Sequence, residues 1–223
     1  MSASSPEPVH WYHIWAGDRW HGSAWHRPAV EHFGTLAGAQ FPGEVYVGVV
    51  GDLSERAGVL RFLAEAWPGA KAVVQADEGY EQVTIDAMHI WSKTVPDGTP
   101  VYYAHTKGAL NDSLPNALWR RAMDELTAGC WYDRVADLRE YDAVGLHWLT
   151  HEQFPEYINP RKPMFGGNFW WARAGYLAGL EPVTGTPERP PVNRWEAEGW
   201  LGQGFPKIRD LRPGWPDYRI AVP

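Results

Sequence analysis

The sequence contains a single cysteine, Cys130, which excludes an internal disulfide and any zinc site built on cysteines. It has no apolar run approaching the roughly 20 residues that a bilayer-spanning helix needs. Its first eight residues, Met1–Pro8, are polar and proline-bearing, without the apolar segment of a secretion signal. On these grounds a cytoplasmic protein with no membrane span is expected. Positive charge is also scarce: 20 Lys and Arg stand against 27 Asp and Glu, a formal charge of −7. That balance argues against a broad phosphate-tracking surface, because non-specific nucleic-acid affinity comes mainly from clustered cations. A local basic pocket remains compatible with it. The strongest catalytic signatures are missing as well. There is no GxxxxGK[ST] phosphate loop, HExxH zinc helix or GxSxG nucleophile elbow, and Gly48, Gly51 and Gly58 do not form a GxGxxG fingerprint. No internal repeat or low-complexity tract is present.

What the chain does have is length for a sizeable core and an ordinary globular balance of 44% hydrophobic and 21% charged residues. Its 223 residues fit one domain on a prior of about 150 residues per domain. Tryptophan is abundant, at 14 residues. Large aromatics usually fill cores, but indole faces also pack on sugar rings, so this count serves an enzyme and a carbohydrate-binding module equally.

Hydrophobic patterning alternates between strand and helix. Strands are expected at 10–15, 44–50, 70–75 and 99–104, and helices at 28–40, 54–67 and 79–93, punctuated by Gly-Asp, Pro-Gly and Pro-Asp-Gly turns. Strand–helix units in series predict an α/β fold with an open, mostly parallel sheet and helices on both faces. In the second half, a helix is expected at 114–128, strands at 141–148 and 165–172, a short helix to Leu180, a Pro-rich loop at 181–191, a helix at 193–201 and an irregular tail from Gly204.

In such sheets ligands bind beyond the carboxyl ends of the strands. Those ends carry Gly17-Asp18, Gly51-Asp52, Asp77-Glu78 and His105-Thr106-Lys107-Gly108. His105 and Lys107 therefore suit a diphosphate, as hydrogen-bond donor and counter-charge, with Gly108 permitting close approach; an ordinary exposed turn would look the same. Gly166-Gly167-Asn168 interrupts an aromatic run, and paired glycines in a strand mark close approach by a ligand or by another backbone. Asn168 offers both donor and acceptor for sugar hydroxyls. Trp170 and Trp171 point to opposite faces, so at most one meets a ligand. Arg194 and Glu198 are four apart and share a helical face, where they either pair or leave a carboxylate as general base; Asp142 is a further candidate acid. His13, His21, His26 and His32 have no recognisable metal-ligand spacing.

Six ordered segments, GYEQVTIDAM (79–88), VYYAHTKG (101–108), WRRAM (119–123), YDAVGLHW (141–148), FGGNFWWA (165–172) and RWEAEGW (194–200), together resemble a group of small bacterial and phage glycosyltransferase-like proteins. The resemblance implies a single GT-A-like, Rossmann-related domain over residues 1–223, with a nucleotide-binding half at 1–110 and an acceptor and catalytic half at 111–223. It implies transfer of a sugar, a hexose favoured, from a nucleotide-sugar donor (UDP-sugar favoured) to an acceptor hydroxyl. Trp15, Ala16 and Gly17 would hold the nucleotide, and His105, Lys107 and Gly108 the diphosphate. Gly167, Asn168, Trp170 or Trp171, and Arg194 would shape the sugar and acceptor site. Glu198, then Glu196, would be the base. Many GT-A enzymes carry an Asp-x-Asp metal motif where this chain has His105-Thr106-Lys107. A Lys is a poor neighbour for Mn²⁺ or Mg²⁺, so no cofactor is expected to be required, with side-chain cations taking over much of a metal's role. The acceptor is open among a glycan, a protein, a small molecule and a modified DNA base, the last disfavoured by the charge. A non-catalytic, lectin-like protein is the alternative from another class; a third reading is a nucleotide-binding protein of other chemistry, such as a nucleotidyltransferase, which would normally want a carboxylate-bound metal that the sequence does not locate.

Overall fold

A computed structural model describes residues 6–17, 24–109, 111, 113–152, 162–183 and 195–214. Its strands are β1 (Val9–Trp15), β2 (Glu44–Val50), β3 (Lys71–Ala76), β4 (Pro100–His105), β5 (Ala143–Gly145), β6 (Trp148–Leu149), β7 (Met164–Phe165), β8 (Trp170–Arg173) and β9 (Ile208–Asp210). Its helices are α1 (His26–Gly38), α2 (Leu53–Ala66), α3 (Gln82–Ser92), α4 (Leu114–Leu126), α5 (Trp131–Asp137), α6 (Ala174–Ala178) and α7 (Trp195–Glu198). Seven strands form one sheet in the order β3-β2-β1-β4-β8-β5-β9. Pairing is parallel from β3 through β4, and β8 runs antiparallel to both of its neighbours. The protein is therefore α/β, with a mostly parallel sheet between helices.

Alternation along the strands divides the interior in two. Tyr12 and Ile14 of β1, and Ala16 just beyond it, join one core with Phe33 and Leu36 of α1, Val59 and Leu63 of α2, and Met123 of α4. Val9 and Trp11 face the other way, toward Ile85 and Met88 of α3, Leu177 of α6 and Ala197 next to α7's end. On the first side the core encloses a polar chain. His10 Nδ1 meets the Tyr102 carbonyl at 3.1 Å, His10 Nε2 meets His32 Nε2 at 2.8 Å, and His32 Nδ1 meets Asp124 at 2.6 Å. A carbonyl only accepts, so His10 carries its proton on Nδ1 and takes a hydrogen bond from His32 on Nε2. Buried polar groups are thereby satisfied rather than orphaned.

On the second side the apolar lining ends as the strands reach their carboxyl ends. Along β1, Trp11 is followed on the same face by His13 and Trp15; along β4, Tyr103 is followed by His105. His13 and His105 are register partners on adjacent strands. Gly48, in β2, lets α3 come close enough to reach His13, because a Cβ there would lie 1.9 Å from Thr84 Oγ1.

Several expectations change. The run 165–172 is not one strand: Phe165 ends β7, in a separate two-stranded sheet with β6, and Trp170 begins β8 in the main sheet. Between them, Gly167 and Asn168 have φ of 86° and 57°, which a continuous strand does not permit. Likewise 141–148 splits into β5 and β6. The helix expected at 193–201 is short, ending at Glu198 before a 3₁₀ turn at Leu201–Gly204. Two elements were not anticipated: α5, and β9, in which Ile208–Asp210 of the supposedly irregular tail pair with β5. Short segments with Pro and Arg nearby give little periodicity to read.

The Gly48 contact gives a test. Gly48→Ala is expected to destabilise the protein by about 1–3 kcal/mol, the usual cost of overpacking. Adding Thr84→Ala should recover part of that loss, so urea denaturation of the double variant would be less than additive. Full additivity would show that the two residues do not press on each other.

Candidate functional site

A cleft of about 310 Å³ opens at the carboxyl ends of β1 and β4. His13, Trp15, Tyr80, Glu81, His105, Thr106, Lys107, Gly108, Ala109, Asn111, Asn116 and Glu198 line it. The loop after β4 is knitted to the end of β1: Thr106 N donates to the His13 carbonyl at 3.0 Å, and Trp15 N donates to Thr106 Oγ1 at 3.0 Å.

Glu81, just before α3, sits at the base of this cleft. Its Oε2 accepts from Tyr103 Oη at 2.9 Å and from Asn168 Nδ2 at 2.7 Å, and its Oε1 lies 3.3 Å from His105 Nδ1. Burial alone would raise its pKa, but the charges of His105 and His13 and the hydrogen bonds from Tyr103 and Asn168 outweigh it and hold the carboxyl below its usual range. Glu81 is therefore ionised at neutral pH. Burial, Glu81's charge and the hydrogen bond to Glu81 push the Tyr103 phenol well up, so it stays a donor.

The two most distinctive segments of the sequence meet at this carboxylate. His105 Nε2 donates to the Gly167 carbonyl at 3.0 Å, while its Nδ1 edge faces Glu81. Asn168 gives Nδ2 to Glu81 and takes Trp170 Nε1 on its Oδ1 at 2.7 Å. The left-handed turn at 167–168 is what aims Asn168 this way, and a Cβ on Gly167 would lie 2.5 Å from Met123 Sδ.

The loop after β4 also presents Lys107 to the cleft. Its Nζ stands 4.5 Å from the centroid of a Trp119 ring, a cation–π seat that keeps the ammonium at the cleft wall. Arg120, fully buried, donates Nη1 to the Lys107 carbonyl at 2.9 Å and Nη2 to Glu31 at 2.7 Å, tying the loop to α1. The Gly108 amide has no hydrogen-bond partner among the described residues. Glu198, at the end of α7, completes the lining, and the chain beyond it packs tightly on Pro163: a Cβ on Gly202 would lie 1.7 Å from the Pro163 carbonyl oxygen.

The expected site residues divide accordingly. Trp15, His105, Lys107, Gly108 and Glu198 line the cleft. Ala16 does not: it is buried in the core, and the Gly17 carbonyl instead accepts from Asp52 N. His105 has both ring nitrogens engaged by protein, which makes it a brace for Glu81 and the 167–168 turn rather than a diphosphate donor. Asn168, Trp170 and Trp171 are buried; the two tryptophans stack on Tyr103 and Tyr102 in opposite cores. Gly167 contributes through its carbonyl, from behind the cleft. Glu196 pairs with Lys162, and Asp142 is held by Arg173 and the Lys207 amide beside β5, so neither is placed as a base. Arg194, Asp18 and His21 lie outside the described residues. Sequence analysis missed Glu81, Tyr80 and Arg120; the first two fall just beyond the strand end at Asp77-Glu78, inside the GYEQ segment. Among the described residues, no three His, Cys, Asp or Glu side chains gather as a metal-binding group, and no helix is long and apolar enough to cross a membrane.

The chain belongs to the family described as Domain of unknown function (DUF8361), whose model matches residues 11–185. That span holds every cleft residue except Glu198. No curated protein matches the chain. Among solved structures, a 4-diphosphocytidyl-2C-methyl-D-erythritol synthase is similar at TM-score 0.44 and 10% identity, over 97% of this chain and 92% of the other. The enzyme of that name from Anaerococcus prevotii DSM 20548 gives TM-score 0.44 and 10% identity, over 96% and 93%. Likeness at that level assigns no activity.

His13 sets a pH dependence. Burial, opposed by Glu81's charge and aided by that of His105, pushes its pKa down from 6.5 to about 4. Between those values the unfolded chain binds the proton and the folded chain does not, so stability falls as the pH drops through that window. The loss from His13 alone is about 2 kcal/mol at pH 5. Burial shifts His10 in the same sense. Urea midpoints are expected to fall between pH 7 and pH 5, and His13→Asn should flatten that fall; a slope unchanged by the substitution would contradict the assignment.

Proposed function

We propose that this protein transfers a sugar from a nucleotide-sugar donor, a UDP-hexose favoured, to an acceptor hydroxyl. One observation carries the proposal: a single cleft at the carboxyl edge of a mostly parallel sheet is lined both by a cation, Lys107 with Gly108 and Ala109 beside it, and by two carboxylates, Glu81 and Glu198. Residues 1–110 supply most of that cleft, in keeping with a nucleotide-binding half, and Glu198 comes from the half that would meet the acceptor. The whole chain of 223 residues would then work as one domain.

Lys107 and the Gly108 amide take the diphosphate, and their charge and dipole stabilise it as it leaves. Glu198 receives the proton of the acceptor hydroxyl as its oxygen bonds to the anomeric carbon and the bond from that carbon to the phosphate oxygen breaks. Glu81 is less suited to be that base, because the hydrogen bonds from Tyr103 and Asn168 lower its basicity. Because a Lys stands where a metal-binding carboxylate pair would, side-chain cations carry the leaving-group charge in this scheme. A cytoplasmic location supplies nucleotide sugars, and the acceptor is a glycan, a protein, a small molecule or a modified base.

Incubation with UDP-hexoses should give slow hydrolysis to UDP, with EDTA present. Lys107→Ala is expected to weaken UDP binding about tenfold, the worth of one charge-assisted hydrogen bond. Glu198→Gln should cut turnover by about 10²-fold or more without weakening UDP binding. Binding of free sugars with no affinity for UDP would favour a lectin-like protein instead.

A further inference from the structure

His13 is 2% exposed, yet it lines the cleft. Its Nδ1 lies 2.8 Å from Thr84 Oγ1, and among the described residues its Nε2 has no hydrogen-bond partner. Thr84 is itself fully buried within α3, and among the described residues its hydroxyl has no partner other than His13. A buried hydroxyl proton needs an acceptor, so Thr84 donates to Nδ1. The ring proton then sits on Nε2, and the imidazole presents an N–H donor to the cleft.

The neighbouring carboxylate is the complementary half. Glu81 offers about four acceptor positions; the hydrogen bonds from Tyr103 and Asn168 both fall on Oε2, and Oε1, 3.3 Å from His105 Nδ1, keeps acceptor capacity. His13 is brought beside it by strand register, since its partner on β4 is the His105 that contacts Glu81. One donor and one acceptor at the base of a cleft match a hydroxyl group, which both accepts and donates.

We propose that His13 Nε2–H and a remaining acceptor position of Glu81 together bind one sugar hydroxyl of the ligand, making them specificity-determining residues and Thr84 the residue that fixes their polarity. The assignment rests on the nucleotide-sugar proposal above. The hydroxyl belongs either to the ribose or to the transferred sugar. A site of this kind rejects a ligand lacking the hydroxyl, because its own polar groups are then left unpaired.

The test is two-bond ¹H–¹⁵N correlation NMR on protein labelled at histidine, with His13 assigned by its loss in His13→Asn. The free protein should show His13 protonated on Nε2, and an Nδ1–H tautomer would overturn the proposal whatever the protein does to UDP-sugars. Added UDP displacing the Nε2 resonance identifies a ribose hydroxyl; displacement by UDP-glucose but not by UDP identifies the transferred sugar. Binding of either without displacement overturns this assignment alone. If neither binds, the nucleotide-sugar proposal falls and takes the assignment with it, even with the tautomer as expected. Thr84→Val, nearly isosteric, should release the tautomer and weaken binding about tenfold; an unchanged tautomer would also count against the proposal.

Discussion

A carboxylate removed from water loses hydration worth several kcal/mol even after the protein relaxes around it, and the loss is recovered only through well-placed donors. Glu81 obtains two, from Tyr103 of β4 and from Asn168 in the turn before β8, with the His105 ring of β4 alongside. Meeting that requirement draws together parts of the chain far apart in sequence. His105 must face inward, Tyr103 must stay protonated, and residues 167–168 must leave the strand path to bring Asn168 within reach. Asn168 is fixed in turn by Trp170, so a tryptophan buried in the core sets the orientation of a group behind the cleft.

The same arrangement gives the cleft its polarity. With the His105 Nε2 proton spent on the turn, Lys107, the Gly108 amide, the His13 imidazole and the spare acceptor capacity of Glu81 are turned to the cleft, which Glu198 also lines. Arg120 holds the Lys107 carbonyl from beneath, and Trp119 seats its ammonium, so the cationic wall is fixed by α4 and, through Glu31, by α1. On the proposed reading, the ammonium and amide suit a diphosphate and the remaining polar groups suit a hydroxyl.

The parallel half of the fold was legible because its strands and helices are long enough to show their periods: β2 was expected at 44–50 and lies there, and β1, α2, α3 and α4 differ by a few residues at their ends. The second half was not, since its strands are two to four residues long and its pairings are non-local. At the site, strand-end position pointed to Lys107 and Gly108. Asn168 and the paired glycines were recognisably unusual, but the cause differs from the one expected. They accommodate Glu81, His105 and Met123 rather than a sugar. Glu81 itself was hidden, because a Glu beside a helix start looks like an ordinary surface residue until the fold buries it.

The measurement that bears most directly on this account is a crystal structure of the protein with UDP. The account predicts the diphosphate against Lys107 Nζ and the Gly108 amide, with Arg120 still holding the loop beneath it. UDP bound elsewhere on the protein, or its diphosphate placed away from residues 107–109, would contradict it.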